Sequence, residues 1–517
     1  MDTAVKQNSR QPMPSDIQDP RKHAVVIGAG FGGLAAAIRL GAKGYRVTVL
    51  ERLEQPGGRA SVFEQDGFRF DAGPTIVTAP FLFAELWELC GKRMEDFVTL
   101  REMSPCYTIR FDDGDIFRCY ADKELMVAEI RKFSPQDIPG YEAFLKESEA
   151  CYQTGFVGMV DKPFGSLLKM VKALPALILR RADRSVYRQV SRFVRNDKLR
   201  IALSFHPLFI GGNPMRASAL YSLISYLEQR YGVHYAMGGT GELARGMADL
   251  VGGQGNKISY HADVDEILVE AGRAVGVRLA DDSRIPADIV VSNADSAWTY
   301  GKMIAPQHRR RWTDRKLAKA DYSMSLFVWY FGTSRQYTNV DHHTILMGPR
   351  FGPLLEDIFE RKVLAEDFSL YLHRPTATDS SVAPEDCDAY YVLAPVPNLD
   401  GSTDWTRHAE TFRKKIERHL EETIMPGLSE VIATSRIMTP LDFRDRLCSM
   451  KGAAFGLEPR LLQTAWFRPH NVSEEIENLY ITGAGTHPGA GMPGVIASAK
   501  ILTNVVPDEN QFSGVAR

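Results

Sequence analysis

The sequence has no long apolar run, almost no net charge and no paired cysteines. Each absence removes a class of protein. No stretch of about eighteen uninterrupted apolar residues occurs, so no transmembrane helix is expected. The formal charge over 517 residues is −2, which leaves no global basic field to hold nucleic acid. The six cysteines, Cys90, Cys106, Cys119, Cys151, Cys387 and Cys448, form no CxxC pair and share no metal-type spacing with histidine. Reduced thiols and no metal centre are expected. The adjacent His342 and His343 fall in an expected strand, where neighbours point to opposite faces, so they are not expected to share a ligand. Lys302 and Arg309 to Arg311 read as a solvated charge run. The first 22 residues are polar, lack an apolar core and read as a loose tail, not a signal peptide.

Glycine, by contrast, is plentiful, with 42 residues. One cluster follows a short apolar run, His23 to Ile27, that reads as a buried parallel strand. Gly28-Ala29-Gly30-Phe31-Gly32-Gly33 then fits GxGxxG, LAAAIRLGAKGY reads as a helix, and Arg46 to Leu50 reads as a second strand ending at Glu51. This is the βαβ setting that a dinucleotide fingerprint requires. Gly28 permits the turn, Gly30 lets the backbone approach a pyrophosphate, and Gly33 lets helix and strand pack closely. The helix N-terminus offers free N–H groups to phosphate, and Glu51 can accept from ribose hydroxyls.

Pro56-Gly57-Gly58-Arg59-Ala60 follows at once, and Phe70-Asp71-Ala72-Gly73-Pro74-Thr75 shortly after. The first resembles the GGR extension of the large FAD-dependent family that includes amine oxidases and carotenoid desaturases. Gly58 brings the backbone close, Arg59 offsets phosphate charge, and Gly73-Pro74 supplies a second loop along the cofactor. Near the C-terminus, ITGAGTHPGAGMPGV (481–495) has five glycines. Gly483 and Gly485 allow close approach, and Pro493 suits the first turn of a helix. The amides of Met492 and Val495 there can stabilise charge on a reduced ring.

Together with LSFHPLFIGGNP (203–214), the run at 226–250, VVSNAD, TPLDFRDRL and FGLEPRLLQTAWFRPHN (455–471), these motifs cover about 23–505. The chain resembles the bacterial-type phytoene desaturases, with purple-bacterial members nearest in look. The resemblance implies an α/β fold. A Rossmann-like FAD-binding domain of the amine oxidase/GDI type would be interleaved with a substrate domain of antiparallel sheet plus helices, and with a helical membrane-associating region. It implies non-covalent FAD, with a residue matching Val264 against the adenine, and no Cys follows Cys448 to form a covalent flavin link. It implies multistep dehydrogenation of phytoene to neurosporene or lycopene by hydride transfer to flavin and loss of the adjacent proton. Oxygen or a quinone would then accept the electrons. Two alternatives stay open: a desaturase of hydroxylated or methoxylated carotenoids, and a non-catalytic lipid carrier like the inhibitors that extract prenylated GTPases.

The expected segments are a tail over 1–22, FAD-binding pieces at 23–110, 236–300 and 441–508, a helical region at 111–235, a substrate sheet at 301–440 and a tail over 509–517. Alternating aromatic runs around Met324–Tyr330, Phe368–Leu372 and Ala389–Leu393 suit either a roof over an apolar substrate or plain core. Residues 163–184 form an amphipathic helix in which Ser166, Lys169 and Lys172 make a basic face and Arg180, Arg181 and Arg184 a positive end. A peripheral site on the cytoplasmic membrane surface follows as an expectation. No catalytic triad is visible. Lys169, Lys172 and His487 are the weak candidates for catalysis, with His487 better read as orienting its loop. His206, in an apolar stretch, reads as a hydrogen-bonded core residue.

Overall fold

The computed structural model describes residues 19–508; the tails expected at 1–22 and 509–517 fall mostly or wholly outside the described residues. His23–Ile27 (β1) is buried at every position and lies at the centre of a five-stranded parallel sheet. Its neighbours are Arg46–Leu50 (β2) on one side and Ile289–Ser292 on the other, with Lys257–Ser259 and Leu479–Ile481 at the edges. An all-parallel sheet must be covered on both faces, which is why β1, Ile289–Ser292 and Leu479–Ile481 are buried at every position, while β2 and Lys257–Ser259 towards one edge are only partly so. Three widely separated stretches of chain therefore build one parallel sheet, the interleaved α/β architecture expected.

Phe31–Ala42 (α1) crosses from β1 to β2 and is buried from Phe31 to Leu40. It is sandwiched between two later helices, Thr240–Gly253 and the C-terminal Met492–Val505. The close approach explains its Gly and Ala content: large side chains would hold the three helices apart.

The second sheet has seven strands, in the order Ile432–Met438, Ser325–Thr333, Asp388–Val396, Leu370–His373, His343–Met347, Tyr107–Phe111 and Ile116–Cys119. All pairs are antiparallel except His343–Met347 with Tyr107–Phe111. Residues 107–119 thus join the sheet of the 301–440 segment. The period-two alternation divides its aromatics between two environments. Phe327, Trp329, Phe331 and Tyr390 pack under the amphipathic helix Trp405–Thr423. Leu326, Val328, Tyr371, Tyr391 and Leu393 face a cavity. One face of the sheet therefore lines a cavity and the other is plain core.

A buried ion pair fixes this sheet. Asp388, fully buried, accepts hydrogen bonds from Arg374 Nε (2.9 Å), the Tyr337 amide (2.8 Å), Thr376 Oγ1 (2.6 Å) and the Tyr390 hydroxyl (2.6 Å). Two helices close the cavity from the other side: Leu167–Leu179 (α2), capped by Ser166, and Leu223–Tyr231 (α3). We label the C-terminal helix Met492–Val505 α4. The charge run at 302–311 is only partly solvated: Arg309 is buried and donates to Asp314 (2.6 Å).

Candidate active site

Two helix N-termini open onto one cavity. At α1 the N-cap is Gly30, and at α4 it is Gly491; neither carries a capping side chain. The first-turn amides of both helices are left for a ligand. Gly28 (φ +90°) and Gly491 (φ +94°) hold left-handed backbone that only glycine adopts without strain. Gly33 has ordinary helical backbone, yet a Cβ there would sit far inside contact distance of the Gly28 carbonyl oxygen.

Glu51 directly follows β2 and is buried. Its Oε2 accepts from the Ala29 amide (2.7 Å) and its Oε1 from the Leu53 amide (2.9 Å). Burial pushes its pKa up, while those two amides and Arg52 pull it down. Arg59 donates Nη2 to Ser449 Oγ (2.7 Å), and its buried Nε has no protein partner. The GGR turn and the second loop interlock, because a Cβ at Gly73 would clash with the Arg59 carbonyl.

The second loop hangs from the tyrosines of the large sheet. Tyr330 OH donates to the Ala72 carbonyl (2.8 Å) and Tyr391 OH to the Gly73 carbonyl (3.0 Å), while Thr75 Oγ1 joins Tyr391 (3.1 Å) to Tyr371 (2.9 Å). Tyr371 in turn meets His343 Nδ1 (2.7 Å). On the other side, Asp71 Oδ1 accepts from the amide and hydroxyl of Thr240.

His343 does not part company with His342. Their ligand nitrogens and that of His373 all lie within 4.8 Å of one another, because His342 precedes its strand and escapes the alternation. Most of these nitrogens are already engaged: His342 with Thr378 Oγ1 (2.7 Å) and with His373 (3.1 Å), His343 with Tyr371. Burial holds the three imidazoles neutral, with His342 down to about 3.

Gly28, Gly30, Phe31, Glu51, Gly58 and Arg59 border the cavity from the first segment. Gly73 and Pro74 of the same segment border it too, and Val264, Met492, Val495 and His487 border it from the other two. Gly33, Gly483 and Gly485 are set back and act in packing: Gly483 faces Asn293 and Gly485 faces Ser296. His487 is buried with Nε2 on the Met159 carbonyl (2.8 Å) and its ring against Phe164 (4.7 Å). A carbonyl only accepts, so Nε2 carries the proton; burial lowers the pKa to about 4. That arrangement holds the loop. Lys172 is exposed on α2 and does not border the cavity; the side chain of Lys169 lies outside the described ones. Arg180 is engaged by Glu147 (3.0 Å).

Sequence reasoning passed over Asn293, whose side chain sits against Gly28, Gly30, Gly32 and Gly483 and joins the two glycine motifs. It also passed over Thr75, Glu228, Tyr371 and Tyr391, which border the cavity. His206 is a hydrogen-bonded core residue, with Nε2 near Tyr107 OH (2.9 Å) and Glu228 Oε2 (3.2 Å).

Uncapped helix ends, a buried carboxylate closing the second strand and an apolar chamber continuous with both define a dinucleotide-dependent oxidoreductase for an apolar substrate. The sequence profile of the family described as "Flavin containing amine oxidoreductase" matches residues 31–505. The "Phytoene desaturase (neurosporene-forming)" of Rhodobacter capsulatus is 49% identical over 94% of both chains. The "Phytoene desaturase (lycopene-forming)" of Pseudescherichia vulneris is 45% identical over 95% of this chain and 100% of its own. The solved structure of cyclohexylamine oxidase from Brevibacterium oxydans has the same fold (TM-score 0.60, 15% identity, 96% of this chain and 100% of that one). The chain belongs to the flavin-containing amine oxidoreductase family, and within it to the phytoene desaturases. Its cofactor is FAD. Glycine approaches that leave no room for Cβ, the unpartnered Arg59 Nε and the free helix ends fit that group.

Proposed function

We propose that this chain is an FAD-dependent phytoene desaturase that introduces several double bonds on the way to neurosporene or lycopene. The continuity between the cofactor groove and an aliphatic and aromatic chamber carries this reading. FAD supplies a hydride acceptor for an allylic C–H bond. The pyrophosphate would lie on the amides after Gly28 and Gly30, the ribose on Glu51, the adenine on Val264, and the flavin's pyrimidine edge on the Met492 and Val495 amides. Phe31, Gly58, Arg59, Gly73 and Pro74 would shape the groove between. The chamber orients a substrate that offers no hydrogen-bonding handle, and excludes water from the cation that hydride loss leaves. The test is purified, flavin-loaded protein with phytoene in liposomes. A coloured polyene identified by its absorption spectrum is expected, and unchanged phytoene would overturn the reading.

Glu51→Gln keeps the shape but places an NH₂ against the Ala29 or Leu53 amide. A donor facing a buried donor costs about 1–3 kcal/mol. FAD affinity is expected to fall roughly 10- to 100-fold by the same relation, measured by flavin titration of apoprotein.

The membrane-surface reading rests on α2. Leu168, Val171, Leu174, Ile178 and Leu179 are exposed, the last two at 66% and 68%, while Met170 and Leu177 border the chamber. Such a helix is apolar towards both the chamber and the outside, with Lys172 and Arg181 exposed on it and at its end. This suits a helix lying in the headgroup boundary. Among the described residues no helix is long and apolar enough to cross a membrane. Changing Ile178 and Leu179 together to Ser is expected to remove ~2 kcal/mol of partial burial and weaken vesicle binding about 30-fold; sedimentation with anionic liposomes checks it. Oxygen or a membrane quinone would accept the electrons.

A further inference from the structure

The chamber contains one carboxylate that the cofactor does not explain. On α3, Leu223, Ile224 and Leu227 face the chamber, and Glu228 borders it beside them. Glu228 is 6% exposed. Its Oε2 accepts from the Tyr107 hydroxyl (3.0 Å) and lies 3.2 Å from His206 Nε2. Its Oε1 is buried with no partner. The remaining carboxylates bordering the cavity belong to the dinucleotide end. Glu51 binds two amides, Asp263 lies near Arg52 (3.6 Å), and Asp295 accepts from the Ala297 and Trp298 amides. α3 is also tied to the second cofactor loop, since His234, shortly after it, pairs with Val77 through two backbone bonds of 2.9 Å.

A buried carboxylate among aliphatic side chains is costly unless a positive charge is to meet it. Desaturation creates such a charge. Removal of hydride from an allylic carbon leaves a delocalised cation in a chamber where water cannot stabilise it, and where a nearby anion acts strongly. The C–H bond next to that cation is acidic enough for a carboxylate to take its proton. The neutral hydroxyls of Thr75, Tyr371 and Tyr391 are committed to a chain of bonds ending on the Gly73 carbonyl.

We propose that Glu228 is the catalytic base of the desaturation, taking the substrate proton on Oε1 while Tyr107 and His206 hold Oε2. For each double bond one C–H bond breaks with its electron pair leaving as hydride to oxidised FAD. The adjacent C–H bond then gives its pair to the new C=C and its proton to Glu228. Before it takes the proton, the same carboxylate is the counter-charge to the cation. The groups facing Glu228 are Tyr107, Cys106 and Cys119 from the sheet side and His206 from the turn after residue 205. This assignment rests on the desaturase reading above.

The test uses flavin-loaded enzyme in liposomes with phytoene. Glu228→Gln is expected to lower kcat by about 100-fold or more, with FAD content and melting temperature unchanged, and Glu228→Asp to recover part of the rate. Deuterium at the proton-losing carbon is expected to slow Glu228→Gln more than wild type, while deuterium at the hydride-donating carbon is not. Tyr107→Phe removes the donor that holds Oε2 and is expected to raise the isotope effect at the proton-losing carbon alone. This second variant decides the matter should Glu228→Gln fail to load FAD. A Glu228→Gln rate within threefold of wild type, or an isotope effect at the proton-losing carbon unchanged in Tyr107→Phe, overturns the assignment. Wild-type enzyme that holds FAD but converts no phytoene overturns the desaturase reading instead.

Discussion

Gly33→Val yields a chain without flavin: the expected result is less than about one-tenth of the wild-type flavin absorption per polypeptide. Helix propensity works in the opposite direction but weakly: Gly33 lies in the first turn of α1, and Val is a better helix former than Gly by only about 0.3 kcal/mol. The backbone there is ordinary, so no torsional strain arises either. What decides is contact with main chain. The new Cβ meets the Gly28 carbonyl oxygen and, at 3.3 Å, the Asn293 Cβ, and neither can rotate away. Overpacking typically costs 1–3 kcal/mol and more against backbone. α1 must lift off β1, and the amides meant for phosphate move with it. Retention of full flavin by Gly33→Val would show that the strand yields instead.

Asp388→Ala is expected to lose about 3–5 kcal/mol of stability, because Arg374 is then left buried with its charge uncompensated. The Tyr337 amide, Thr376 and Tyr390 lose their acceptor too. The midpoint of denaturant unfolding reads this. Asp388→Asn keeps the shape and is expected to lose less. The pair lies at the end of the large sheet away from the dinucleotide groove, so flavin stoichiometry in the folded fraction stays at the wild-type value.

Local chemistry was readable in the linear chain wherever neighbours in sequence act together. GxGxxG between two apolar runs, an acid closing the second strand and a glycine-rich approach to a last helix each say what they do. Asn293 acts between Gly32 and Gly483, about 260 and 190 residues away, and nothing in VVSNAD signals that meeting. Glu228 has its partner Tyr107 at a separation of 121 residues. The sequence around it, LISYLEQRY, reads as an ordinary surface helix, although a glutamate beside the apolar stripe of Leu223, Ile224 and Leu227 was a usable signal. On α2 the charges are the obvious feature of the sequence, yet Leu168, Val171, Leu174, Ile178 and Leu179 are exposed as well. Helical periodicity separates faces but does not say which one turns inward when both are apolar.

The order of the parallel sheet bears on how the protein is made. A ribosome emits Leu479–Ile481 long after β1, yet this strand borders Ile289–Ser292, which borders β1. Until then the nascent polypeptide exposes one edge of that sheet, and α1 lacks the C-terminal helix that covers it. Closure across such sequence distances is slow, and unpaired strand edges invite aggregation while it is pending. The α4 amides that complete the cavity likewise join α1 only after that last strand is in place.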